Sequence, residues 1–259
     1  MSTERAPENL PPLSAWRTAV LRLTAFTSPT AQYTRQNWWE ELFGEQAETK
    51  ASNSKIGEQN EAGPFNNARL TLHAVPTRID WLFGVGTEPI VLTDIETVTH
   101  GTFMESVEPF VDVMSRWLSA GSSPTPVRIA FGSVLLQPAA DKEEAIRRLA
   151  DYLPITLLPG NASDFLYQVN RPRVSVSGIT GLMINRLSKW SVLQIQQQMA
   201  AIGTPKAIQQ FPPVFANVLE LDINTAAEFE GELDRARLPD LLRELVDLGE
   251  EIAEKGDIP

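Results

Sequence analysis

Two carboxylates stand two residues apart in the segment Val218–Ile223, VLELDI. In an extended chain, residues i and i+2 point to the same side. Glu220 and Asp222 therefore share a face, while Leu219, Leu221 and Ile223 turn to the other. Such a pair could divide acid and base roles, given environments that separate the two pKa values, or contribute oxygens to a Mg²⁺ site. It is also how the wetted side of an antiparallel strand looks, and that is the expectation here. Asp94 and Glu96, in TDIET, repeat the spacing and the reading.

Other chemistry is thinly represented. The chain has no cysteine, which removes disulfides, thiolate metal sites and cysteine nucleophiles. Its two histidines, His73 and His100, are far apart in sequence and form no HExxH motif. The expectation is a strand-surface His73, a turn His100 and no metal site. Gly132-Ser133 lacks the second glycine of a nucleophile elbow. Gly84-Val85-Gly86 continues into Thr87-Glu88-Pro89 rather than a third glycine and a helix, so no dinucleotide fingerprint or phosphate loop is present. No catalytic residue is assigned, and no cofactor is expected.

Charge narrows the partners. With 22 Lys plus Arg against 33 Asp plus Glu, the formal charge is -11. Nucleic-acid binding needs a basic face that displaces counterions, and this balance with no basic run argues against it. Met1 to Ala15 is polar and Pro-rich with no apolar h-region, and no apolar run reaches membrane-spanning length. A cytoplasmic chain with no membrane partner is expected, with oligomeric state open.

The elements that must position these residues follow from periodicity. Residues 1–14 read as a tail, because Pro7, Pro11 and Pro12 oppose a helix. Leu13 to Phe26 alternates as a strand, with Val20, Arg22 and Thr24 on one face and Leu21, Leu23 and Ala25 on the other. Ser28-Pro29 opens a helix through Trp38 and Trp39 that ends at Gly44. Adjacent tryptophans cannot both face one core, so one of the two is expected to be exposed or to cover a neighbouring loop. Glu45 to Asn66 is nearly free of large apolar residues and reads as a long mobile loop. Arg69 to Phe83 is a hairpin turning at Val75-Pro76-Thr77. Thr102 and Glu105 form a capping box ahead of a Phe103–Leu118 stripe, and Ser119 to Pro126 is linker-like.

The second half repeats the theme. Val127 to Gln137 is strand-like, and Asp141 with Glu144 caps a helix. Strands are expected at Phe165–Val169, Arg173–Ser177, Leu182–Leu187, Trp190–Gln198 and Val218–Ile223. Gly203 to Pro213 reads as a loop, and Pro239 opens a closing helix. The order predicts an α+β fold: an antiparallel or mixed sheet with amphipathic helices on one face. Residues 15–259 make one domain, which the element order divides into two similar halves, 15–120 and 127–255.

In that arrangement the polar strand positions gather on the side away from the helices. They are Arg22, Arg69, His73, Arg78, Asp80, Gln194, Gln196, Glu220 and Asp222. Arg69, His73, Arg78, Asp80, Glu220 and Asp222 are the candidate binding-face residues. The remaining aromatic weight reads as core, with Trp81, Trp117 and Trp190 on apolar faces.

The C-terminal third resembles a family of uncharacterised bacterial proteins of similar length. The resemblance is carried by Leu219-Glu220-Leu221-Asp222-Ile223-Asn224, an acidic loop and the amphipathic helix Leu238–Ile252. Ala253-Glu254-Lys255-Gly256 stands where that family has a Phe-acid-Ile-Thr feature. The resemblance implies the fold class and no activity. Three functions remain from sequence: a non-enzymatic interaction or binding protein, with a protein as the partner; a carboxylate- or Mg²⁺-dependent enzyme; and a structural subunit of an oligomer or complex. The first is the expectation.

Overall fold

The structure is a computed structural model that describes residues 10–28, 37–84, 94–155, 164–195, 198–200, 208–210 and 212–257. Its frame is an antiparallel sheet whose strands are β1 (Arg17–Phe26), β2 (Thr49–Asn53), β3 (Glu58–Phe65), β4 (Ala68–Val75), β5 (Arg78–Gly84), β6 (Arg128–Ala139), β7 (Leu166–Asn170), β8 (Arg173–Val174), β9 (Met183–Ile195) and β12 (Val214–Thr225). The spatial order is β2-β3-β4-β5-β1-β6-β12-β9-β7, with β8 also paired to β9. A separate pair is formed by β10 (Gln198–Ala200) and β11 (Ile208–Gln210). The α-helices are α1 (Trp38–Phe43), α2 (Phe103–Ser119), α3 (Lys142–Tyr152) and α4 (Leu238–Lys255). The expected α+β fold is therefore present. The strands of residues 15–120 and those of residues 127–255 belong to one sheet and adjoin at the β1–β6 pairing.

Pairing register sorts the side chains. One row runs Leu72, Trp81, Leu23, Phe131, Ile223, Arg186 across six strands. Apart from Arg186, these residues join one buried cluster with Trp38 and Trp39 of α1, Phe110, Met114 and Trp117 of α2, Leu149 of α3 and Leu242 and Leu245 of α4. Burying a large apolar side chain contributes about 1.5–3 kcal/mol, so the stacked tryptophans anchor this layer. Trp16, just before β1, donates its indole N–H to the carbonyl of Ala253 in α4 (2.9 Å), tying the start of the first strand to the last helix.

The caps behave largely as the sequence dictates. Thr102 and Glu105 form the reciprocal box on α2. Asp141 accepts from the Glu144 amide on α3, but the Glu144 carboxylate takes the Ala140 amide instead of closing the box on Asp141. Gly44 closes α1 in the left-handed conformation at φ 71°. Pro29 and the start of the helix assigned to it lie outside the described residues.

Several expectations are corrected. Glu45 to Asn66 is not a loop throughout: it contains β2 and β3. Its inward positions on β3 are Gln59, Glu61 and Gly63, so apolar alternation is missing. The apolar cover comes from α1 instead. The Trp39 ring fills the space a side chain at Gly63 would need, and Lys50 pairs with buried Glu61 at 2.6 Å. Both tryptophans of the pair are buried, at 1% and 4% exposure. Trp38 meets Trp117 and Trp39 meets Trp81, because the short α1 is enclosed on two sides. The two strands expected at Leu182–Leu187 and Trp190–Gln198 are one strand, β9. Within the Gly203–Pro213 loop, Ile208–Gln210 is β11. Asp94 caps a 3₁₀ turn at Ile95–Val98 rather than sharing a strand face with Glu96. No helix among the described residues is long and apolar enough to cross a membrane.

Candidate functional site

The second sheet face is set by the same register. One row on it runs Thr71, Leu82, Arg22, Gly132, Asp222, Leu187, and the next runs Arg69, Gly84, Val20, Val134, Glu220, Lys189. A third contains His73, Asp80, Thr24, Ala130, Asn224 and Asn185. All six candidate residues from the sequence thus lie on this face. Gln194 falls on the opposite one, beside Phe215 in the ladder, and Gln196 lies outside the described residues.

The face is not polar throughout. Near one end, Ile95 of the 3₁₀ turn covers Leu136, Ala216 and Val218 in a second, smaller buried cluster.

The candidate residues form two groups. At β4 and β5, buried Asp80 accepts from Thr24 Oγ1 (2.5 Å) and from Arg78 Nη2 (3.0 Å). Arg78 Nε stands 2.7 Å from Asp80 Oδ2 as an ion-pair contact, without the alignment of a hydrogen bond. His73 Nε2 is 3.3 Å from Glu58, and Arg69 pairs with Glu48 at 2.6 Å. These groups are largely satisfied by one another. From β4 to β12 there are four strand spacings, about 19 Å, so Arg69 and Glu220 do not meet.

Glu220 and Asp222 do come together, in a depression of about 250 Å³. Val20, Leu82, Val134 and Leu187 give it apolar lining, and Arg22, Gln168, Lys189, Glu220 and Asp222 supply the polar groups. Lys189 donates to Glu220 at 2.7 Å. Asp222 accepts from Asn224 through Oδ1 (3.0 Å), and its Oδ2 stands 3.9 Å from Arg22 Nη2.

Gly132 makes this geometry accessible. It lies between Arg22 and Asp222 in the ladder, and a Cβ there would be 3.1 Å from Arg22 Nη2 and 3.2 Å from Nε. Glycine in a strand interior often marks such a close approach. With no side chain in the way, the guanidinium lies down across the strand. Its Nε is buried without a hydrogen-bond partner, and the residue lines the depression.

The electrostatics are balanced, with two cations beside two carboxylates. A divalent ion would have to displace Lys189 from Glu220 and stand beside Arg22. Mg²⁺ asks for oxygen ligands, and no group of three or more His, Cys, Asp or Glu able to hold a metal occurs among the described residues.

The sequence does not single out Lys189, and it points to Gly132 only through the incomplete elbow Gly132-Ser133. Lys189 lies between Leu182–Leu187 and Trp190–Gln198, the two strands the sequence predicts where the structure has the single β9. A glycine inside an otherwise apolar run was the available signal for the other.

Neither of the two histidines faces this depression. His100 stacks edge-on to Phe83 at 5.6 Å, and burial holds its imidazole below the usual pKa, so it is a neutral packing residue. No family model, no curated protein and no solved structure matches the chain.

Proposed function

We propose that this is a non-catalytic binding protein whose small polar ligand seats in the depression between β1, β6, β12 and β9. One observation carries the reading. The Arg22 guanidinium is laid across bare Gly132, the residue lines a concave space, and among the described residues its nearest carboxylate is 3.9 Å away. That gap exceeds a charge-assisted hydrogen bond by about 1 Å, so Arg22 keeps donors for a ligand. A protein partner would extend from the depression along the same face toward Arg69, His73, Arg78 and Asp80. A catalytic reading has less support, because the two carboxylates already face cations and, among the described residues, no histidine lines the depression.

The test is a fragment screen by amide NMR on the full chain and on Arg22→Met. The proposal expects shifts clustered at Val20, Gly132, Lys189 and Asp222 that vanish in the variant. Shifts clustered elsewhere, or unchanged in Arg22→Met, would overturn it.

A further inference from the structure

We infer that the ligand of the depression is a small zwitterion, a free α-amino acid or a molecule of the same charge pattern. This rests on reading the depression as a binding site and adds the chemical class of its occupant.

The charges argue for both signs on one small molecule. Arg22 and Asp222 face each other across the width of Gly132 at 3.9 Å, too far for either to satisfy the other's hydrogen-bonding capacity. A row away, Lys189 and Glu220 are in direct contact at 2.7 Å, so their charges are already paired with each other. The pair left to recognise a ligand is one cation and one anion, side by side.

A simple carboxylate would gain Arg22 but would sit against Asp222 and Glu220. A simple ammonium ion would gain Asp222 but would sit against Arg22 and Lys189. Like charges brought together in a partly desolvated site are unfavourable, and unlike ones favourable, so only an occupant with both signs is favoured at each end.

Geometry assigns the ends. A guanidinium offers a planar fork that suits a carboxylate, which places the ligand carboxylate on Arg22. An ammonium group then reaches Asp222 Oδ2, the oxygen that Asn224 leaves unoccupied. Beside these ends stand Val20, Leu82, Val134 and Leu187, a surface for an aliphatic side chain. The volume, about 250 Å³, holds a molecule of amino-acid size and is small for a folded peptide segment.

The experiment titrates the intact chain with each free amino acid, and then with N-acetyl and amide derivatives of the tightest one. Amide NMR and calorimetry are the readouts. The expected result is at least tenfold weaker binding for both capped derivatives. A loss of the same size is expected in Arg22→Met and in Asp222→Asn, each keeping the wild-type NMR spectrum away from the site. If a capped derivative binds as well as the free amino acid, the zwitterion inference fails while the depression remains a ligand site. If no amino acid perturbs Val20, Gly132, Lys189 or Asp222, the inference also fails, and the fragment screen separately decides the fate of the site.

Discussion

Tyr152, the last residue of α3, presents its carbonyl oxygen to the backbone of Gly256, just past the end of α4, and then accepts the amide of Asp257 at 2.9 Å. A Cβ on Gly256 would fall inside the Tyr152 carbonyl group, and the residue has φ +79°. Two helices are thus joined at their C-terminal ends through a contact only glycine permits. Gly256→Ala should lower stability by about 2–4 kcal/mol, combining the backbone strain with a clash against a rigid carbonyl. Urea denaturation measures it, and a loss below about 1 kcal/mol would contradict the contact.

Asp257 completes the same junction. Its side chain is 2% exposed and is paired with Arg171, and Tyr167 donates to it at 2.5 Å. Burial pushes its carboxyl upward, but the Arg171 and Tyr167 hydrogen bonds and the Arg171 charge outweigh this and hold it below the ordinary value of 3.8. The depressed pKa adds stability that is present above the ordinary value and is lost as pH falls through the folded one. Asp257→Asn should therefore cost about 2 kcal/mol at pH 7, with the gap to wild type closing below pH 3.8. Denaturation midpoints across pH check this; a gap that is constant with pH would exclude the charge as its source.

Glu250 behaves in the opposite sense. Burial, with the neighbouring Asp247 and Glu108 charges, raises its carboxyl above the usual 4.5, and its Oε1 is buried without a partner. A raised carboxyl pKa means the native state holds its proton more tightly. Its contribution is most favourable in acid and falls as pH rises through the folded value. Glu250→Gln should raise the melting temperature at pH 7 and reduce the gain that wild type shows on mild acidification. No rise at pH 7 would mean the carboxylate is better solvated than its surroundings indicate.

Arg186 carries a charge into the helix-facing layer at 1% exposure, with Nε and Nη1 lacking partners. Glu251, its ion-pair neighbour at 3.2 Å, also has Arg173 at 2.6 Å. Removing Arg186 therefore does not strand the acid. Replacing a poorly satisfied buried charge by an apolar chain of similar length is often neutral or stabilising. Arg186→Met should change stability by less than about 1 kcal/mol or increase it. A loss above about 3 kcal/mol in urea would show that the arginine is a required pairing partner.

At the depression, Gly132→Ala places a methyl against the Arg22 guanidinium, the flexible end of a side chain. The arginine lifts away, so stability should change by no more than about 1 kcal/mol. Ligand binding should weaken about tenfold. A variant that binds as wild type would show that the flat guanidinium is not needed.

Most of the fold was legible because its strands carry alternating side chains and its longer helices carry stripes and caps. Leu21, Leu23 and Ala25 against Arg22 and Thr24 sufficed to place β1, and Thr102 with Glu105 to start α2. The β2–β3 segment was not legible, because its inward residues are Glu61 and Gly63, and the apolar surface that buries them belongs to Trp39 on another element. The same limit applies to the site. Sequence alone placed Glu220 and Asp222 on one side of a strand, since period two is a local property of an extended chain. Bringing Arg22 over Gly132 and Lys189 onto Glu220 required the pairing of β1, β6, β12 and β9, whose partners lie 31 to more than 100 residues apart. That pairing is decided by how the buried layers of strands distant in sequence fit together in three dimensions, which local periodicity does not encode.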